Sequence, residues 1–248
     1  MSQLSLENDL SHAKLDEISA FWFRHLQDHD HIISPSIEDS APWFSQNDAY
    51  DQECMDKFGA LLELIQVVEP NGAEIIAAAK PCKPMHWISL IILLDQLPRN
   101  CFRGAQARVA FTVFDSLALE VASKAIDSGA PMDSEVRFRL AYRFWFYMPM
   151  EHCESLAVAE SLHKAHFDMF RDYERLLERD VEGWDGKFAQ YRDVLLKRRS
   201  DFGKLKGVIT SICESKLDAL RRFGRFPQRN EVLGRTSTAE ELQFLDGK

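Results

Sequence analysis

Apolar residues in this chain recur at three- and four-residue steps almost from end to end, and nowhere does period-two alternation run long enough to build a strand. Leu15, Ile18, Trp22 and Leu26 make the first such stripe, over residues 11–27. A polar, proline-containing connection follows. Asn47 then stands as N-cap of a helix reaching Val68, which Pro70-Asn71-Gly72 stops. Residues 73–79 read as a short helix closed by Pro81 and Pro84, and 85–97 as a helix apolar on nearly every side and therefore buried all round. Gly104 precedes a long Ala-rich helix, 105–127. Asp133 or Ser134 caps the next, which runs to Pro149. Residues 151–180 form an amphipathic helix, and 187–222 are helical with a break near Gly203–Gly207, because an interior glycine costs about 1 kcal/mol. Ser237-Thr238-Ala239-Glu240-Glu241 offers overlapping capping boxes for a terminal helix, 240–245. The pattern predicts an all-α, single-domain chain over residues 1–248, with a long C-terminal helix pair.

Charge and cysteine content narrow the function classes. The 248 residues carry a net charge of −9, which argues against a general nucleic-acid binder. That charge is uneven: residues 28–56 contain acids and no Lys or Arg, whereas 192–235 are strongly basic. Complementarity between these segments, or a basic patch attracting an anionic ligand, would each account for it. The five cysteines are scattered, with no Cys-x-x-Cys pair to suggest a structural zinc site or a disulfide framework. No secretory signal precedes the first helix, and the longest apolar stretch, 87–94, is too short to span a bilayer. These features predict a cytoplasmic protein with no membrane contact. Neither a Gly-rich phosphate loop nor a dinucleotide fingerprint occurs, so no cofactor is expected.

Two segments place Arg-Asn-x-x-x-Gly just after a proline at a helix end: Leu94-Asp95-Gln96-Leu97-Pro98-Arg99-Asn100-Cys101-Phe102-Arg103-Gly104, and Phe226-Pro227-Gln228-Arg229-Asn230-Glu231-Val232-Leu233-Gly234. Pro98 has no N–H, so the carbonyl of Leu94 loses its helical partner, and Gln96, Arg99 and Asn100 are near enough to satisfy the opened turn. Asp95 and Arg99, four apart, can pair. Such residues suit either an anion site, in which Asp95 orients a guanidinium for bidentate recognition, or a buried ion-pair network pinning helices together. Arg221, Arg222, Arg225, Arg229 and Arg235 crowd the second segment and require counter-charges, for which Asp95, Glu151 and Glu154 are candidates. Around Pro149, the run Glu151-His152-Cys153-Glu154 falls in the first turn of the predicted 151–180 helix. There a carboxylate could tune His152 as general acid or base. His25, His29 and His31, and also His163 and His166, are spaced for metal ligation but lack the Glu-x-x-His pattern of helical-bundle sites, so no metal ligand is assigned.

Taken together, Ala20-Phe21-Trp22-Phe23, the 94–104 segment, Pro149-Met150-Glu151-His152-Cys153-Glu154, the second Arg-Asn segment and Leu233-Gly234-Arg235 occur in the order that resembles the DUF924 family. The resemblance covers nearly the whole chain. It implies one all-α domain of tetratricopeptide-like architecture and implies no reaction, since the family is named for its unknown function. This chain departs from the pattern at Gln228, where histidine is usual, and at Cys153, where serine is common. Glutamine does not titrate, so a mechanism using a histidine at that position has no proton carrier there.

The resulting expectation is an interhelical pocket for a small carboxylate- or phosphate-bearing molecule. Its ligand-binding residues would be Gln96, Arg99, Asn100, Arg103, Arg225, Gln228, Arg229 and Asn230, with His152, Glu154 and Asp95 supplying acid–base capacity. If the chain is an enzyme, cofactor-independent lyase, isomerase or cyclase chemistry fits these groups. The alternative is a non-catalytic, tetratricopeptide-like scaffold holding a peptide or protein partner.

Overall fold

A computed structural model describes residues 3–26, 28–178 and 186–246, and among them there are helices and no strands. In chain order the helices are α1 (Gln3–Asp9), α2 (His12–Phe23), α3 (His29–Ile33), α4 (Ile37–Phe44), α5 (Asp48–Val68), α6 (Gly72–Ala79), α7 (Pro84–Ile91) and α8 (Leu97–Cys101). They continue as α9 (Ala107–Val109), α10 (Asp115–Asp127), α11 (Leu140–Arg143), α12 (Met148–His152), α13 (Leu156–Glu178), α14 (Gly186–Lys197), α15 (Arg199–Phe223) and α16 (Ala239–Asp246). The all-α class and the long C-terminal pair hold, for α13 packs along α15. Helices of three to 25 residues do not by themselves make a regular tetratricopeptide-like array.

Local chemistry sets most boundaries. The Ser11 hydroxyl accepts from the Lys14 amide, opening α2, and the Asn47 side chain accepts from that of Tyr50, opening α5 where the sequence places its cap. Asn71 and Glu74 form a reciprocal box at α6, and Thr238 with Glu241 does the same before α16. The packing of α2 on α7 and of α5 on α8 surrounds the apolar segment 88–94 with side chains, leaving its residues fully buried. Its tie to α2 is polar as well: Ser89 Oγ donates to the Leu15 carbonyl at 2.6 Å. The two Phe-Trp-Phe triads meet here, with Trp22 and Trp145 edge to face at 5.3 Å.

Several boundaries differ from the sequence expectation. The connection before Asn47 is itself helical, as α3, capped by Asp28, and α4, capped by the Ser36–Asp39 box. The predicted 105–127 helix is interrupted by a π-helical turn, Ala110–Phe114. Asp133 accepts from the Glu135 amide, but α-helix does not begin until Leu140. The predicted 151–180 helix starts only at Leu156, so Glu151 and His152 end the single turn α12, and Glu154 lies in the following link. The C-terminal break falls at Arg198 rather than at the glycines, which α15 absorbs. Arg198 leaves the helix to donate to the Ser34 carbonyl at 2.6 Å and to Asp39 at 3.0 Å. With Lys197–Asp30 at 2.6 Å, these bonds are the complementarity expected between the acidic 28–56 and basic 192–235 segments.

Candidate functional site

The helix ahead of Pro98 carries a specific distortion. In place of an open turn satisfied by side chains, the helix widens into a π-helical turn, Ile92–Gln96, closed by the Leu97 amide on the Ile92 carbonyl. The second π turn, Ala110–Phe114, lies against it. Each delivers a carboxylate: Asp95 sits inside the first, and Asp115 immediately follows the second.

Asp95 is fully buried. Its Oδ1 accepts from His152 Nδ1 at 2.7 Å and its Oδ2 from Gln96 Nε2 at 2.5 Å, with Arg99 Nη2 3.7 Å away. Burial works against its charge, but the neighbouring His152 and Arg99 outweigh this and hold the carboxyl well below the usual range. An ionised Asp95 can only accept, so the proton of a neutral His152 is on Nδ1 and the lone pair on Nε2. Burial and the nearby Arg99 push the His152 imidazolium towards deprotonation. The result is a carboxylate-oriented imidazole with its basic nitrogen available, the arrangement of a general base.

Of two expected pairings, Asp95 with Arg99 is kept at a longer distance of 3.7 Å and Glu154 with His152 is replaced. Asp95 orients His152 more closely than it does Arg99, whose Nη2 instead donates to Asp115 at 2.6 Å. Glu154 does not tune His152. It is held by both terminal nitrogens of Arg235, at 2.9 and 2.8 Å, and by the Phe226 amide. One Asp95 oxygen, one Asp115 oxygen and a His152 nitrogen lie within 4.8 Å of one another, but the Arg99 guanidinium already bridges the carboxylates. This trio is an ion-pair cluster.

The first Arg-Asn segment lines a cavity. About 170 Å³ of space is bounded by Gln96, Arg99, Asn100, Arg103 and His152, with Trp43, Phe44 and Met148 on the other side. Arg99 Nη1 is buried without a hydrogen-bond partner. Arg103 forms a two-pronged contact with Asp51 at 2.8 Å, while Asn100 Nδ2 donates to the same carboxylate at 2.7 Å. A second, larger and mostly apolar cavity of about 420 Å³ shares Trp43, Phe44, Met148 and His152 with the first. It runs between α4, the α11–α12 region and the Leu205, Val208, Ile209 and Ile212 face of α15. The Glu151–Lys216 pair, 2.9 Å apart, stands in its wall.

The second Arg-Asn segment does not join this site. Arg225 is clamped two-pronged on Glu241 at 2.6 and 2.8 Å, and Asn230 Nδ2 donates to Ser237 and Glu241. Arg229 is buried 3.0 Å from Asp115 and over the rings of Phe111 and Phe226, whereas Gln228 is exposed. None of these four residues lines either cavity. The two copies of the motif thus serve different ends, one at a cavity and one locking the C-terminal tail, with Arg99 and Arg229 sharing Asp115. The three histidines 25, 29 and 31 are likewise separate: His25 bonds the Asp39 carbonyl, His31 bonds Asp28, and His29 meets Arg139.

Sequence reasoning missed Asp51, Asp115 and most of the apolar wall, of which it offers only Trp43. Two large aromatics, Trp43 and Phe44, inside an otherwise polar connection were the available signal for the wall. Asp115 carried none, because nothing in an Ala-rich helix marks which acid will face a distant arginine.

A family model described as a bacterial protein of unknown function (DUF924) matches residues 18–248. The chain belongs to this family. A solved structure of a protein of unknown function from Agrobacterium tumefaciens is similar to this DUF924 chain, at 24% identity and a TM-score of 0.58. The match covers 95% of this chain and 98% of that one, and it is a likeness of fold. No curated protein matches the chain. Among the described residues, no helix is long and apolar enough to cross a membrane.

Proposed function

We propose that this DUF924 chain binds a small amphipathic anion and acts on it by proton transfer at His152. The observation that carries this reading is the junction of the two cavities at that residue. On one side lies a polar recess holding Arg99 and Arg103, on the other an apolar chamber, with an Asp95-oriented imidazole between them. A carboxylate or phosphate would sit with the guanidinium groups, one of which keeps an unpaired buried donor, and an apolar body would fill the chamber between α4 and α15. A reacting atom at the junction would lie beside the Nε2 lone pair. Proton abstraction and return by one base, as in an isomerase, a lyase or a cyclisation, needs no further group than these.

The chamber argues for a small molecule over a peptide scaffold. Its lining is apolar apart from Ser40, His152 and the Glu151–Lys216 pair, so an extended chain would leave backbone groups without partners there. Thermal-shift screening with medium-chain carboxylates and phosphate monoesters is expected to yield binders whose affinity rises with apolar length up to the chamber's capacity. Val208→Trp, at the exposed rim of the chamber on α15, would fill it and weaken such binders at least tenfold without lowering the melting temperature. His152→Gln would keep binding and abolish turnover. Equal binding by V208W and wild type, or no stabilisation by any apolar anion, would refute the reading.

A further inference from the structure

A second cluster of ligating side chains lies away from this cleft, where α2 begins. His12 opens α2, Cys82 is in the link between α6 and α7, and His86 stands in the first turn of α7. The chain returns here because Lys80 caps α6 in the left-handed conformation at φ 47°, and its carbonyl meets His12 Nε2 at 2.8 Å. We propose that His12, Cys82 and His86 form a binding site for a zinc-class divalent ion, with the Cys82 thiolate and two imidazoles as ligands.

The geometry is already close to that of a metal site. Cys82 Sγ and His86 Nδ1 are 3.6 Å apart. For Zn–S near 2.3 Å and Zn–N near 2.0–2.1 Å, the sulfur–nitrogen edge of a tetrahedron is roughly 3.6 Å. One ligand atom from each of the three residues lies within 4.8 Å of the others, and exposed His12 closes the remaining gap by turning its ring off the Lys80 carbonyl. His86 is positioned from behind. His86 is buried, its ring packs 4.4 Å from that of His12, and its Nε2 faces Asp16 Oδ1 at 3.4 Å. Its Nε2 makes no hydrogen bond at that distance, while Nδ1 turns its lone pair towards Cys82, whose amide approaches it at 3.5 Å. Lys83 is held on the same Asp16 at 2.7 Å, so its charge is drawn towards that carboxylate.

Two nitrogens and a sulfur select a borderline-soft ion over magnesium or calcium, and three protein ligands leave one position for water. Binding joins groups up to 74 residues apart and would fasten the start of α2 to α7 and to the α6–α7 link. A spacing search looks for paired cysteines and does not find this set, because one ligand comes from the start of α2 and the others are a Cys-x-x-x-His step.

The test is titration of the full chain, kept reduced, with cobalt and then zinc. Wild type should bind one equivalent of cobalt with a near-ultraviolet sulfur-to-metal absorption band, lose the band when zinc is added, gain several degrees of melting temperature with zinc, and ignore magnesium. Cys82→Ser and His12→Ala change exposed side chains, so both should fold as wild type without metal. C82S should lose the band and H12A should bind at least tenfold more weakly. A wild type with no band, or a C82S protein that keeps it, would overturn the proposal.

Discussion

His166 is buried on α13 among Phe144, Tyr147 and Phe170, and neither ring nitrogen has a hydrogen-bond partner. Burial therefore pushes its pKa down from 6.5 to about 4. In the unfolded chain the ring takes up a proton below pH 6.5, while in the folded chain it stays neutral until about pH 4. Stability falls across that window by about 3 kcal/mol. His166→Leu should remove most of this slope: urea midpoints at pH 7 and pH 4.5 should differ by less in the variant than in wild type. Asp95 has the opposite balance. Its carboxyl is held low by His152 and Arg99 despite burial, so its contribution is complete above the unfolded carboxylate range and is lost progressively as pH falls from there through its lowered folded value.

At the scale of elements, the π turn Ile92–Gln96 joins two helices that are anchored separately, α7 on α2 and α8 on α5. Removing the widened turn would rotate one half by roughly 100° against its neighbours, the angular step of one residue. Every residue of the turn is buried, so that rotation would expose apolar surface and separate Asp95 from His152. Pro98 favours the distortion by denying an amide to the helix, but packing on both sides retains it. Pro98→Ala is therefore expected to keep the π turn and the Asp95–His152 bond. The nitrogen chemical shifts of the His152 ring check this, since a ring that has lost its carboxylate partner populates both tautomers.

Across the whole molecule, the C-terminal tail is fastened to one end of the bundle by Glu241. This carboxylate accepts from Arg225, from Asn230 and from the Thr238 amide. Its pKa is lowered to about 2, first by the Arg225 hydrogen bonds and next by the Thr238 amide. The tail contact is therefore complete above the ordinary glutamate range and is lost as pH falls towards 2. Glu241→Ala should release α16 without disturbing the cleft. Limited proteolysis should cut the variant faster after Arg235, while ligand affinity stays unchanged. An affinity loss in E241A would mean that the second Arg-Asn segment reaches the site after all.

Periodicity fixed the all-α class and the run of helices, and local polar residues marked the caps at Asn47 and Thr238, though not those at Ser11 and Asn71. These depend on contacts within a turn or two of the chain, which neighbouring residues decide among themselves. The motifs also marked Asp95, Arg99 and His152 as belonging to a polar centre. Partners were only partly marked: Glu154, one of three candidate counter-charges for the arginine cluster, met Arg235, but Asp95 met His152 more closely than Arg99, and the two like-spaced Arg-Asn segments separated into a cavity wall and a tail lock. Those choices follow from burial and from charges brought together across 16 to 81 residues. A low-dielectric interior admits a charge only with its counter-charge beside it, so which pairs form is settled when the helices pack.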